Sequence, residues 1–242
     1  MRILVFQHIA SEHPGSFRDV MQAYGHTWEA VELDEGEAIP PLEDYDALLV
    51  MGGPMDVWEE QAHPWLVDEK AAIREWVGAG RPYLGMCLGH QLLAAACGGE
   101  AKLMTAPPEV GISTVSLSPD PIFEGVGEVC TCFQWHGAEV TKLPPGARVI
   151  ATSPGCAIQA QALGTHAYGL QFHMELTHST AAEWGAIPQY IAALERVKGP
   201  GALPVIQEGV ARNFAALHSA ATIIFSNFLN IAAATIRARN AA

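Results

Sequence analysis

Two rhythms of apolar and polar positions divide the chain. In the first hundred residues short unbroken apolar runs alternate with stretches of helical spacing. Arg2 to Phe6, Ala47 to Met51 and Pro82 to Met86 read as buried strands. Between them, Ser16 to Tyr24 reads as a helix stopped by Gly25, and Pro64 to Val77 as a helix offering Trp65, Ile73, Trp76 and Val77 to a core. Leu88 to Cys97 is an apolar helix stopped by Gly98 and Gly99, and Thr27 to Leu33 alternates like a strand. Asp34 to Asp44 carries Pro40, Pro41 and five acids, so a solvated loop is expected there. Strand-helix alternation of this kind predicts a parallel sheet covered on both faces.

The rhythm then changes. Gly111 to Leu117, Val129 to Trp135, Arg148 to Thr152, Ala157 to Ala162 and Tyr168 to His173 are strand-like and separated by Pro and Gly, which predicts an antiparallel extension of the same sheet. Helices resume after Thr177. The expected fold class is three-layer α/β, an open and mostly parallel sheet flanked by helices. Lys198 to Pro204 reads as a short linker. It divides a domain at residues 1–197 from a helical extension at 198–242, expected to pack on that same domain.

Composition narrows the function classes. The 242 residues carry a formal charge of -13 and no Lys/Arg run, which argues against nucleic acid as a partner. The first apolar run is too short for a signal peptide. Ala221 to Ile236 is the most lipid-like stretch, but it is short for a span and contains Ser226, Asn227 and Asn230, so a helix packed on protein is expected rather than a membrane anchor. Five cysteines, at 87, 97, 130, 132 and 156, make an odd set without a secretory signal, which favours a reducing, cytoplasmic compartment over a disulfide framework.

The candidate chemistry starts at Gly85-Met86-Cys87-Leu88-Gly89. A buried strand precedes this G-x-nucleophile-x-G pattern and a helix follows it, as the pattern requires. The turn holds the nucleophile in strained backbone angles, at the carboxyl end of the sheet and at a helix N-terminus that favours thiolate. A thiolate needs a base, and the base needs an orienting group. His173 and Glu175 lie two apart at the end of an expected strand, where period-two alternation puts both on one face. Gly52-Gly53-Pro54 follows a neighbouring strand, so backbone N–H groups of Gly53 and Leu88 are candidates for an oxyanion hole.

MGGPMDV, YLGMCLGHQLLA, FQWHGAEVTKLPPGA and YGLQFHMEL together resemble the class I glutamine amidotransferases, the triad glutaminase domains, over nearly all of the first 190 residues. The chain looks most like the stand-alone type, related to the glutaminase domain of GMP synthase. The resemblance implies the flavodoxin-like fold of that family and hydrolysis of the glutamine side-chain amide through a cysteine thioester. It implies Cys87 as nucleophile, His173 as general acid/base and Glu175 as its orienting partner. Gly53 and Leu88 would supply oxyanion contacts, Gln91 would bind polar groups of the substrate, and backbone near Trp135 and His136 would hold its amino-acid end. Two positions depart from the family pattern. Met174 stands where proline is usual, which should loosen the turn, and Ala138 stands where aspartate is frequent.

Other readings remain beside this one. The same triad serves a hydrolase of γ-glutamyl peptides or conjugates, with pocket width set by loops such as Asp56 to His63. Cys130, Cys132 and His136 offer three soft ligands, one short of a usual structural zinc set, so no metal is expected. No P-loop or dinucleotide fingerprint points to a cofactor. The ammonia therefore goes to water or to a separate synthetase subunit. The apolar C-terminal segment could bury a homodimer contact or cover its own domain, and the second is the expectation.

Overall fold

The computed structural model describes residues 1–241. Its strands are β1 Arg2–Gln7, β2 Thr27–Glu32, β3 Ala47–Val50, β4 Tyr83–Met86, β5 Glu100–Leu103, β6 Glu109–Leu117, β7 Val129–His136, β8 Ala138–Lys142, β9 Ala147–Thr152, β10 Ala160–Leu163 and β11 Ala167–Leu170. The helices are α1 Phe17–Ala23, α2 Trp65–Gly78, α3 Leu88–Ala96, α4 Thr180–Trp184, α5 Pro188–Lys198 and α6 Leu203–Asn240. Nine strands form one sheet in the order β2-β1-β3-β4-β11-β10-β9-β6-β7. From β2 to β11 neighbours are parallel, and from β11 to β7 they are antiparallel.

The unbroken apolar runs follow from burial on both faces of the parallel part. Alternate residues of β1 serve opposite layers. Leu4 and Phe6 join Leu48, Val50, Ile73, Trp76 and Leu92 under α2 and α3. Ile3 and Val5 join Phe17, Leu49, Met86, Ile224, Phe225 and Phe228 under α1 and α6. The expected three-layer sheet with its antiparallel extension is the architecture observed.

Four details differ from the sequence-based expectation. Regular pairing in β11 stops at Leu170, and His173 keeps only an isolated bridge to Phe133. β10 begins at Ala160, three residues later than expected. β5 and β8 pair as a separate two-stranded sheet. β5 is mostly exposed, with Glu100, Lys102 and Leu103 turned to solvent, so it carries no core-facing period to read. The acidic loop after β2 contains two 3-10 turns, Leu33–Glu35 and Leu42–Asp44.

α6 is long and apolar enough to cross a membrane by length and composition. It nevertheless spends its most apolar face in the protein core, through Ala221, Ile224, Phe225, Phe228, Leu229 and Ala232. Phe225 stacks on Phe17 with ring centroids 4.2 Å apart. One polar residue in this stretch has a local use: Asn227 Nδ2 donates to the carbonyls of Ile122 and Glu124.

Candidate active site

The site is built on the ends of β4 and β11. Cys87 follows β4 directly, and its N–H donates to the Leu170 carbonyl at 2.8 Å, which continues the β4–β11 register by one residue. Its φ is +48°, the one positive value for a non-glycine among the described residues. The cost of that conformation is of order 1–3 kcal/mol and must be offset by the surrounding packing. Both flanking glycines are sterically required. A Cβ on Gly85 would strike the backbone of Gly89, and one on Gly89 would strike the Val50 carbonyl. Cys87 thus caps α3, with the helix N-terminus behind its sulfur.

The His–Glu pair reaches this sulfur by a different route from the one expected. Strand alternation does not align the two side chains, because β11 has ended. A turn does it instead. His173 exchanges backbone bonds with Phe133 at 2.8 and 3.3 Å. The Glu175 carboxylate folds back, taking His173 Nδ1–H on Oε1 at 2.6 Å and the Met174 N–H on Oε2 at 2.8 Å. The expectation that Met174 loosens this turn is therefore corrected. A proline there would have no N–H to give, whereas methionine pins the carboxylate.

His173 is 1 % exposed and packs edge-on against Trp184, with centroids 4.5 Å apart. Burial alone would lower its pKa, but the Glu175 carboxylate and the Cys87 sulfur outweigh this and raise it well above the ordinary imidazole value. The arrangement therefore favours the imidazolium form of His173. Gln171, also buried, donates from Nε2 to Cys87 Sγ at 3.6 Å.

Cys87, Gly53, Leu88, Gln91, Trp135 and His136 line one cleft of about 200 Å³. Every residue singled out for substrate contact thus lies on it. Several of their side-chain atoms are already engaged within the protein. The Gln91 amide nitrogen is committed to the Ala138 carbonyl and Gln171 Oε1, both at 3.2 Å. His136 bonds the Ala138 carbonyl at 2.9 Å and Glu109 at 3.1 Å. Trp135 Nε1–H is buried with no partner. Larger grooves of about 850, 760, 320 and 310 Å³ lie elsewhere on the surface and contain no member of the triad, so chemistry rather than size singles out the candidate site.

Four residues at the site had no sequence signal. Glu12 is buried in the loop after β1 and accepts the Tyr190 hydroxyl hydrogen bond on Oε1. Burial raises its pKa, against the opposing pull of His173. His8, at the end of β1, bonds the Gly52 carbonyl through Nδ1 and Glu69 through Nε2, each at 2.8 Å. A single polar residue after an apolar run has no spacing partner, and Tyr190 sits 178 residues from the glutamate it meets.

Donor atoms of Glu12, His173 and Glu175 lie within 4.8 Å of one another. Both Glu175 oxygens, His173 Nδ1 and Glu12 Oε1 already hold hydrogen bonds to protein. We read the group as a hydrogen-bond network. The zinc arrangement weighed for Cys130, Cys132 and His136 also lacks a free ligand, because both ring nitrogens of His136 are engaged.

The family described as glutamine amidotransferase class-I matches residues 16–184. The chain is 32 % identical over 154 residues to a glutamine-hydrolyzing GMP synthase subunit of Sulfolobus acidocaldarius, covering 62 % of this chain and 78 % of that one. It is 31 % identical over 185 residues to the putative glutamine amidotransferase-like protein YfeJ of Salmonella typhimurium, covering 73 % and 77 %. Among solved structures, a glutamine amidotransferase from Thermotoga maritima superposes with a TM-score of 0.85 at 28 % identity, over 94 % of this chain and 97 % of the other. One from Methylobacillus flagellatus gives 0.82 at 29 %, over 95 % and 94 %. With the matched region running from the start of α1 to the end of α4 and enclosing Cys87, His173 and Glu175, the chain belongs to the class-I glutamine amidotransferase family.

Proposed function

We propose that the protein hydrolyses the side-chain amide of glutamine through a thioester on Cys87, releasing ammonia and then glutamate. The observation that carries this reading is the strained Cys87 at the N-terminus of α3, facing a buried His173 whose Nδ1 is fixed by Glu175 at 2.6 Å. The remaining ring nitrogen is thereby directed to exchange protons with the sulfur.

In the first half-reaction His173 holds the Cys87 proton, and the thiolate adds to the carboxamide carbon. The oxygen becomes an oxyanion, received by N–H groups of Gly53 and Leu88. Collapse breaks the C–N bond, and His173 returns the proton to the leaving nitrogen as ammonia. In the second half-reaction a water molecule gives its proton to His173 and attacks the thioester, freeing glutamate and restoring the thiol. Trp135 Nε1–H, a donor without a partner among the described residues, and the Gln91 side-chain oxygen, whose amide nitrogen is already engaged, are two side-chain groups offered to the substrate.

The relatives include a protein named as one subunit of a synthase, so the fate of ammonia is the next question. We infer a free-standing hydrolase. It should turn over glutamine, or another γ-glutamyl amide, at an ordinary rate of about 1 s⁻¹ or more. Ammonia release from glutamine and from γ-glutamyl dipeptides by the purified chain tests this. Negligible turnover alone, restored by one specific added protein, would contradict the free-standing reading. Turnover of dipeptides with none of glutamine would move the substrate to the γ-glutamyl conjugates.

A further inference from the structure

The pair His8–Glu69 is buried to 0 % exposure on both side chains, stands outside the triad, and has a ring orientation that its partners dictate. His8 Nδ1 meets the Gly52 carbonyl at 2.8 Å, and a carbonyl only accepts, so Nδ1 carries a proton. Nε2 meets Glu69 Oε1 at 2.8 Å, so one proton is shared between them. The ring is locked at both nitrogens, between a carbonyl and a carboxyl group. Trp65 stacks over it, with centroids 5.4 Å apart and planes 16° from parallel. A buried pair of this kind is a weak device for stability, since desolvation offsets much of its attraction. Its geometry gives it another use.

The carbonyl it grips belongs to the Gly52–Gly53 peptide. In a planar trans peptide the C=O and the following N–H point in opposite directions. Fixing the Gly52 oxygen on His8 therefore aims the Gly53 N–H the other way. Gly53 lines the cleft that contains Cys87 and Leu88, and its N–H has no backbone acceptor among the described residues. Neither glycine tolerates a side chain. A Cβ on Gly53 would stand 2.9 Å from His8 Cβ and 3.0 Å from Leu88 Cδ2, and one on Gly52 would strike Glu12. The loop is squeezed between the His8 side chain and the start of α3, and the His8 ring is the group that grips its carbonyl.

We propose that His8, held by Glu69, is a positioning residue that orients the Gly52–Gly53 peptide so that the Gly53 N–H meets the oxyanion formed on acylation of Cys87. This rests on the acyl-transfer reading of Cys87 given above.

Two reactions of Cys87 separate this role from a merely structural one. Acylation by p-nitrophenyl acetate passes through a tetrahedral oxyanion. Alkylation by iodoacetamide displaces iodide, forms no oxyanion, and depends only on the thiolate and access to it. Rates of both are measured for wild type, His8→Leu, His8→Asn and Glu69→Gln. His8→Leu should acylate about 100-fold more slowly, the scale of a lost oxyanion donor, while iodoacetamide reacts within about threefold of wild type, because the thiolate is untouched. His8→Asn places an amide N–H near the former Nδ1 and should recover most of the acylation rate. Glu69→Gln preserves a partner for Nε2 and should fall between wild type and His8→Leu.

Where glutamine turns over, the loss should appear in kcat with KM changed by less than about threefold. Equal losses in acylation and alkylation, wild-type acylation by His8→Leu, or His8→Asn no better than His8→Leu would each overturn the proposal. Acylation of wild type by the ester without turnover of any γ-glutamyl amide would sink the substrate reading while the clamp is still tested by the same variants.

Discussion

On the proposed mechanism Cys87, His173 and Glu175 carry separable tasks, and substitution should rank them. Cys87→Ala removes the nucleophile and should abolish amide hydrolysis with the far-UV spectrum unchanged; measurable turnover in a clean sample contradicts the assignment. His173→Ala should be nearly as severe. Glu175→Gln should be milder, because an amide still accepts from His173 Nδ1. The other cysteines should be poor nucleophiles. Burial pushes the Cys130 thiol up to about 11 and the Cys156 thiol up to about 12, and raises Cys132 further. Cys97 is raised as well. A glutamine-like electrophile should therefore label Cys87 first, which peptide mapping reads directly.

His90 supplies a pH prediction at the same scale. Buried and hydrogen-bonded by Gln161, it is pushed down to about 3 by burial. The unfolded chain, with imidazole near ~6.5, binds a proton there that the native state refuses. This contribution to stability is complete above pH ~6.5 and is lost as pH falls toward about 3, by up to ~1.4 kcal/mol per unit. His8 and His173 act with the opposite sign. Their raised native pKa values give stability that is full below ~6.5 and lost as pH rises through those values. Unfolding midpoints of wild type and His90→Gln between pH 6 and 4 should differ in slope, with the variant flatter; parallel slopes contradict the account.

Among elements, the turns around Cys87 and Glu175 decide whether the site exists. The nucleophile turn was fully legible, because G-x-C-x-G after an apolar strand states both the strain at Cys87 and the close approaches at Gly85 and Gly89. The His173–Glu175 turn was legible only in its residues. Period-two reasoning brought the two side chains together through a geometry the structure does not have, since nothing local marks the end of β11 at Leu170 or the return of the Glu175 side chain to the Met174 N–H. The loop before α1 supports the same turn: the Glu175 carbonyl accepts the Ser16 N–H at 2.8 Å, and a Cβ on Gly15 would overlap that carbonyl. Met174→Pro deletes a bond to the carboxylate, worth about 1.5–3 kcal/mol when one partner is charged. We expect at least a tenfold loss of kcat with little change in iodoacetamide access to Cys87. Unchanged kcat would show that the Met174 N–H does not hold Glu175 in place.

On the scale of the whole molecule, the layered sheet was readable because its central strands are buried on both faces, which forces unbroken apolar runs. β5 was not readable, because its side chains face solvent and leave no period. Nor were His8, Glu12, Glu69 and Tyr190, whose meetings depend on how β1, α2 and α5 converge. α6 ties the antiparallel extension to α1, and Phe225 on Phe17 is central to that contact. Phe225→Ala should cost about 3–5 kcal/mol, seen as a lower denaturant midpoint. A midpoint unchanged within error would mean that the contact carries none of the stability assigned to it.

The central claim is an acyl-enzyme on Cys87. The most direct test mixes the purified protein with glutamine, quenches in acid within the first turnovers, and locates any added mass by peptide mapping. The account predicts a γ-glutamyl thioester on the peptide containing Cys87, present in wild type, accumulated if deacylation is slow, and absent from Cys87→Ala. Ammonia release with no adduct on Cys87 under any quench time, or an equal rate of release by Cys87→Ala, would contradict it.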